Sequence, residues 1–100
     1  MTGTAEAKVT VANEVGLHAR PAVKLAKLAK SFPARVEMAL SAEGPWFDAK
    51  SVVKVMAARA PKGAVLHLRA TGEGASQAVE ALVDLVERKF DEGEAHARTA

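Results

Sequence analysis

The strongest constraint on the fold of this chain is the spacing of its apolar residues, which switches repeatedly between two periods. Polar and apolar residues alternate at 8–12, 34–40 and 64–70, a period of two that is typical of β-strands with one buried face. Elsewhere apolar residues recur every three to four positions, which indicates amphipathic helices. The predicted order is β-α-β-β-α-β-α, with strands at 8–12, 34–40, 46–48 and 64–70 and helices at about 19–31, 50–58 and 75–90.

The alternation in the first, second and fourth strands predicts a sheet with one buried face and one face in solvent. This pattern is typical of an antiparallel sheet covered by helices on one side, and therefore of an α+β fold. The strand residues expected to point inward are Val36, Met38, Leu40, Leu66 and Leu68, whereas His67 and Arg69 should face solvent. The helical residues expected to face the core are Ala22, Leu25, Ala26, Ala29, Val79, Leu82, Val83, Val86 and Phe90.

The size and charge of the chain exclude several classes of protein. Its 100 residues, 49% of them hydrophobic, suffice for one domain with its own core. We assign residues 1–90 to that domain and interpret 91–100, which are polar or small, as a disordered tail. The formal net charge of +2 is too small to indicate nucleic-acid binding. The absence of cysteine excludes disulfides, thiolate metal sites and a cysteine nucleophile.

The chain shows no signal for membrane insertion or export. No apolar run approaches the roughly 18 residues that span a bilayer. The first six residues lack the basic and apolar segments of a secretory signal. We therefore expect a cytoplasmic protein without membrane insertion.

The three histidines, His18, His67 and His96, are the first candidates for chemistry, because histidine titrates close to neutral pH. His67 lies on the predicted solvent face of a strand and His96 lies in the tail, so we interpret both as inert surface residues. No pair of histidines has the spacing of four that a helical metal site uses, and no carboxylate pair accompanies them. We predict neither a metal site nor a cofactor.

His18 has a more informative setting, because it lies between a glycine turn and the first turn of a helix. Pro21 suits that first turn, where a missing N–H costs little. The unpaired N–H groups of a helix start attract anions, and Arg20 adds a fork of donors that fits phosphate oxygens. This positive potential favours a neutral, nucleophilic imidazole and stabilises a phosphoryl group bound to it. The alternative, in which His18 only caps the helix, stays open on these residues alone.

The segment Gly16–Ala22 reads GLHARPA and resembles the active-site motif of the HPr family of histidine-containing phosphocarriers in the bacterial phosphotransferase system. Two further landmarks of that family are present, namely Lys50-Ser51 at the start of a short helix and Lys62-Gly63 before the last strand. The resemblance covers roughly residues 6–90. It implies an open-faced β-sandwich, with a four-stranded antiparallel sheet and three helices on one face.

The resemblance also implies a function for the His18 region. His18 would accept a phosphoryl group at Nδ1 from phosphorylated enzyme I, with Arg20 stabilising the phosphate. It would pass the group to enzyme II A domains for sugar uptake, as a stoichiometric carrier and not as an enzyme. A carrier or regulator in nitrogen or carbon control remains as the alternative, since the difference between these chains lies in their partners.

By the same resemblance, a docking patch would surround His18, with an apolar centre and a basic rim that meet acidic partners quickly and weakly. We define this docking patch as Val23, Lys24, Lys27, Lys30, Val52, Val53 and Met56. In the purely structural alternative, the lysines form a solvent-exposed face and the aliphatic residues belong to the core. We expect the carrier to be a monomer.

Ser51 has two interpretations. Its position predicts a helix N-cap, which stabilises by about 1 kcal/mol. By resemblance to part of the family, a serine-specific kinase and phosphorylase would also act on it, and the phosphate would weaken docking of enzyme I.

Two rival classes of protein fit the sequence less well than the carrier. A regulatory relative that binds partners without carrying phosphate would lack the active histidine, so His18 argues against it. A small nucleic-acid-binding domain would need aromatic residues on the solvent face of the sheet and a larger basic surplus. The first, second and fourth strands provide neither.

Overall fold

A computed structural model describes residues 3–91 of the chain. Its strands are β1 (Thr4–Thr10), β2 (Arg35–Ala39), β3 (Phe47–Asp48) and β4 (Val65–Thr71). Its α-helices are α1 (Ala19–Lys30), α2 (Val52–Ala57) and α3 (Ala75–Glu87), followed by a 3-10 helix at Lys89–Asp91. The predicted order of strands and helices is therefore confirmed.

The four strands form one antiparallel sheet in the order β1-β4-β2-β3. β1 and β4 pair along seven residues, from Thr4 opposite Thr71 to Thr10 opposite Val65. β4 also pairs with β2, so it lies inside the sheet, whereas β3 is a two-residue strand at its edge. The predicted α+β open-faced sandwich, with a four-stranded antiparallel sheet and three helices, is confirmed.

The core lies between the helices and one face of the sheet. Alternate residues of the strands point into it, which explains the period of two in the sequence. The small alanines on the inner face of α1 allow this helix to pack closely against the rest of the core. The residues predicted to face the core, Ala22, Leu25, Ala26 and Ala29, are all fully buried. The largest fully buried side chains are Leu17, Leu25, Met38, Leu66, Leu68, Leu82 and Phe90, with four valines between them.

β1 lies further towards the N-terminus than the sequence predicted, at 4–10 instead of 8–12. Its inward residues before Val9 are Ala5 and Ala7, whose small side chains give a weak alternation signal. Val11 is buried beyond the end of the strand, and its backbone bonds to the N–H of Gly63 and the carbonyl of Ala64. The chain thus leaves the sheet while remaining attached to the segment before β4.

Leu40 does not share the buried face of β2, contrary to the prediction. Val36 and Met38 are buried as expected, but β2 ends at Ala39 and Leu40 is 42% exposed. A turn follows at once, because the Gly44 N–H bonds the Ser41 carbonyl and the Ser41 hydroxyl donates to the Gly44 carbonyl. This turn removes Leu40 from the alternation that the sequence suggested.

α3 ends at Glu87, three residues earlier than predicted, because the backbone reverses there. Residues 89–91 all have positive φ angles, and Phe90 (φ 57°) returns its ring to the core with no exposure. Of the predicted stripe on α3, Val83 is only half-buried, while Leu85 is buried although it was not predicted. Apart from Asp91, which belongs to the 3-10 helix, the predicted tail of 91–100 lies outside the described residues.

α2 is shorter and more exposed than an amphipathic core helix. It spans six residues, and Val55 is its buried residue, whereas Val53 is 77% exposed. Within residues 3–91, none of the helices has the length and apolar character needed to cross a membrane.

Candidate functional site

The loop between β1 and α1 is held against the segment that joins α2 to β4. The Leu17 N–H donates to the Ala60 carbonyl at 2.9 Å, and Leu17 itself is 1% exposed. Gly16 has a φ of +67°, and a Cβ at this position would lie 2.3 Å from the Ala60 oxygen. Glycine is therefore required here both by the left-handed backbone and by the close approach of the two segments.

His18 follows this attached segment and is the N-cap residue of α1, with extended backbone angles. Its side chain is exposed and makes no hydrogen bond to the helix end. His18 therefore occupies the N-cap position without its imidazole bonding the helix end, so the ring nitrogens are not engaged in capping as the alternative interpretation required. The next residue, Ala19, has a φ of 40°, which is uncommon outside glycine and marks local backbone strain beside the imidazole.

The start of α1 offers a positive potential close to His18. The first N–H groups of a helix have no acceptor within the helix, and α1 has no acidic residue in its first turn. Pro21 is buried in that turn, as predicted, and Arg20 is exposed beside it. His18 and Arg20 are therefore both solvent-accessible at a helix end that favours anions.

An open, mainly apolar depression of about 580 Å³ adjoins His18. Two of its residues, Val53 and Met56, belong to the docking patch predicted by resemblance. The other residues that line it are Val15, Leu17, Ala57, Arg59, Ala60 and Pro61. Sequence reasoning missed Val15, which is 63% exposed, because its place in the turn before Gly16 gave no periodic signal.

The remaining residues of the docking patch have different environments. On α1, Val23 is 45% exposed and Lys27 and Lys30 are exposed. Lys24 is half-buried, and its ammonium group donates to the Phe90 carbonyl at 2.8 Å. Val52 is half-buried at the start of α2. The structure thus brings Val53 and Met56 to the His18 depression and directs Lys24 towards the 3-10 helix that follows α3.

Ser51 is the N-cap of α2, as its position in the sequence predicted. Its hydroxyl oxygen accepts the Lys54 N–H at 3.2 Å, and its carbonyl accepts the Val55 N–H. The neighbouring Lys50 donates from Nζ to the Phe32 carbonyl at 2.8 Å, which links the start of α2 to the chain after α1. The Lys50-Ser51 pair therefore stabilises the start of α2 in the unmodified protein.

Charged residues also connect the two loops beside the depression. Lys62 Nζ lies 2.7 Å from Glu14 Oε2, and this hydrogen bond lowers the pKa of the Glu14 carboxyl below its ordinary value. Both side chains are largely exposed, so the pair contributes little to stability. It does add a third connection between the loops, besides the Leu17–Ala60 hydrogen bond and the pairing of Val11.

The other histidines lie elsewhere. His67 is half-buried in β4, opposite Lys8 in β1 and Ala39 in β2. His96 lies outside the described residues. Among residues 3–91, no group of three His, Asp or Glu side chains is placed to hold a metal ion.

The comparisons with known proteins bear on this site directly. The family model described as the PTS HPr component phosphorylation site matches residues 5–88, which include the GLHARPA segment and both loops around it. The chain belongs to the PTS HPr family. The resemblance noted in the sequence is thereby confirmed, and HPr proteins are phosphocarriers.

Similarity to individual members of the HPr family extends over almost the whole chain. The chain is 41% identical over 87 residues to phosphocarrier protein HPr of Pseudomonas aeruginosa, covering 87% of this chain and 96% of that protein. It is 35% identical over 89 residues to phosphocarrier protein NPr of Escherichia coli K12, covering 89% and 98%. The crystal structure of HPr-C-His from Thermoanaerobacter tengcongensis superposes with a TM-score of 0.81 at 34% identity, covering 88% of this chain and 97% of that one.

Proposed function

We propose that this HPr-family protein carries a phosphoryl group on His18, received from phosphorylated enzyme I and delivered to enzyme II A domains. The observation that supports this most directly is the exposed His18 imidazole at the start of α1, which makes no capping bond and has Arg20 two residues away. Membership of the HPr family adds the expectation that a histidine in this motif is phosphorylated.

The proposed transfer needs an unprotonated Nδ1. Its lone pair attacks phosphorus, a P–N bond to His18 forms, and the bond between phosphorus and its group on enzyme I breaks. The transferred charge then lies at the start of α1, where the N–H groups of the first turn and the exposed Arg20 favour an anion. Phosphoryl transfer depends mainly on positioning and charge stabilisation, so this site needs no further catalytic group. An exposed phosphohistidine is also accessible to the next acceptor.

The depression beside His18 supports a docking role for part of the patch. Val53 and Met56 present apolar surface there, and Met adapts to several partners because its side chain is unbranched and flexible. Lys27 and Lys30 supply exposed positive charge on α1. We extend the proposed surface to Val15, which is largely exposed and also lines the depression. Lys24 contributes less to docking than Lys27, since it bonds the Phe90 carbonyl.

The test is phosphorylation by phosphoenolpyruvate and enzyme I. We expect one acid-labile phosphate, located on His18 by mass spectrometry. The His18→Ala variant should fold normally and remain unlabelled, while the matched control His67→Ala should be labelled like the wild type. Arg20→Glu should transfer much more slowly with little loss of stability. Labelling of His18→Ala would show that the phosphate resides elsewhere and would refute the assignment.

A role in nitrogen control is the second candidate, favoured by the 35% identity to phosphocarrier protein NPr of E. coli K12. The two roles differ in partners and not in the chemistry at His18. Phosphorylated protein should therefore be offered in parallel to a sugar-specific enzyme II A domain and to an acceptor of a nitrogen-control chain. Faster transfer to the sugar-specific domain supports our proposal, and faster transfer to the other acceptor supports the alternative.

We also propose Ser51 as a site for a serine-specific kinase. A phosphate at this position would place negative charge next to Val52 and Val53, in the apolar part of the docking patch, and would weaken enzyme I binding. Incubation with ATP and extract of the source cells should give acid-stable phosphate on the wild type and none on Ser51→Ala. Absence of this phosphate from the wild type would refute the proposal.

A further inference from the structure

Asn13 is the polar residue that the fold buries among residues 3–91, with only 5% of its surface exposed. It lies five residues before His18, in the loop that connects β1 to α1. Burying a side-chain amide is unfavourable unless its groups find hydrogen-bond partners. The burial of Asn13 is therefore expected to be offset by hydrogen bonds of its amide.

Two hydrogen bonds join Asn13 to Gly16. The side-chain Nδ2 donates to the Gly16 carbonyl at 2.9 Å, and the Gly16 N–H donates to the Asn13 carbonyl at 3.2 Å. Together they close the turn between residues 13 and 16, one through the Asn13 side chain and the other through the backbone. Gly16 is buried and in contact with Ala60, so the Nδ2 donor also satisfies a carbonyl that has little access to water.

The other amide atom, Oδ1, is buried and has no hydrogen-bond partner among the described residues. A buried acceptor without a partner is unfavourable by about 1–3 kcal/mol. The buried Oδ1 lowers the stability of the fold, so the favourable hydrogen bonding of the Asn13 side chain comes from its Nδ2 donor. That donor acts on the turn that leads directly into Leu17 and His18.

We propose that Asn13 is a positioning residue for His18, an inference that rests on the proposed function of His18 as phosphoryl acceptor. Asn13 holds Gly16 from within the loop, and the Ala60 carbonyl holds Leu17 from the opposite segment. The backbone is thus fixed on both sides immediately before the imidazole. Because displacement of a reacting group by about 1 Å can slow a reaction about 100-fold, loss of the Asn13 donor should slow phosphoryl transfer at His18.

The test uses two variants of Asn13 in steady-state phosphorylation by phosphoenolpyruvate and enzyme I, with this protein as the varied substrate. Asn13→Asp keeps the shape of the side chain and replaces the donor by an acceptor. Asn13→Ala removes the amide without adding charge, and decides the question if Asn13→Asp does not fold. We expect kcat to fall at least about tenfold in each folded variant, with little change in KM.

The separation of kcat from KM distinguishes positioning from simple destabilisation. Because the protein is the substrate, a partly unfolded population lowers the competent concentration and raises the apparent KM while kcat is retained. Val79→Ala, which truncates a buried residue in α3, serves as the matched control and should keep the wild-type kcat. Urea denaturation of all variants shows whether their losses of stability are comparable.

Each result of this experiment has a distinct meaning. A lower kcat in the Asn13 variants than in Val79→Ala supports the inference. A wild-type kcat in a folded Asn13 variant, with or without a raised KM, overturns it and leaves Asn13 with a purely structural role. Failure of the wild type to be phosphorylated on His18 would instead refute the proposed function.

Discussion

The contact between Gly16 and Ala60 allows a prediction with an internal control. In Gly16→Ala the new Cβ would lie 2.3 Å from the Ala60 oxygen and 3.0 Å from Pro61 Cα, at a φ of +67°. Gly63 has a φ of +94° and a Cβ added there would meet no atom within 4 Å, so Gly63→Ala introduces backbone strain without a collision. The difference between the two variants therefore reports mainly on the collision, since both positions have positive φ angles.

The expected magnitudes follow from these two contributions. A left-handed conformation costs a residue with a Cβ about 1–2 kcal/mol, which applies to both variants. Overpacking against a neighbour that is part of the backbone adds about 1–3 kcal/mol in Gly16→Ala alone. We expect Gly63→Ala to lose about 1–2 kcal/mol and Gly16→Ala about 2–5 kcal/mol of the free energy of unfolding. For a domain of this size, each 1 kcal/mol lowers Tm by roughly 4–8 °C.

The assay is urea denaturation followed by circular dichroism and by the fluorescence of Trp46, the single tryptophan of the chain. Both variants should unfold in one transition with similar slopes, so that a shift in the midpoint reports stability. Equal losses in the two variants would refute the reasoning. They would mean that the loop before His18 is not held tightly against the segment at Ala60.

Three smaller effects can be measured by fluorescence, by NMR titration and by urea denaturation. Arg69→Met removes the guanidinium 4.0 Å from the Trp46 ring centre and should shift the Trp46 emission to the red, with a loss of about 1 kcal/mol; an unchanged spectrum would contradict the stacking. Lys62→Met should raise the pKa of Glu14 towards its ordinary value in an NMR titration. Since that pKa is lowered in the folded protein, the pair stabilises above the unfolded pKa of Glu14 and is lost as pH falls through the folded one, so the variant should show a weaker dependence of stability on acid. Ser51→Ala should destabilise by about 1 kcal/mol through loss of the cap, and no change in the urea midpoint would argue against that bond.

The exposed face of the sheet shows where reasoning from strands alone was incomplete. Trp46 was predicted to begin the third strand, but β3 starts at Phe47, and only the first, second and fourth strands were considered for aromatic residues on the solvent face. In the structure its ring stacks with Arg69 of β4, whose Nε also bonds Glu37 of β2 at 2.8 Å. The aromatic ring and this positive charge are thus engaged with each other on the sheet.

Local sequence patterns predicted burial and capping correctly at residues whose environment depends on one kind of interaction. The alternation in β4 is correct because Leu66 and Leu68 point into the core from a strand paired on both sides. The Ser51 cap is correct because an N-cap depends on the next three residues of the chain and on little else. Leu40 was misplaced because the turn that removes it from β2 lies after the alternating segment and follows no period.

The primary structure alone specifies the order of strands and helices, the buried faces of α1 and β4, and the GLHARPA segment that points to His18. These features depend on residues two to four positions apart, and such neighbours are already close in the unfolded chain. Long-range packing establishes the depression at His18, the contact of Gly16 with Ala60, the bond of Lys24 to Phe90 and the exposure of Val15. The contacts of Gly16 with Ala60 and of Lys24 with Phe90 join residues 44 and 66 positions apart, and no periodic pattern along the chain encodes which residues will meet.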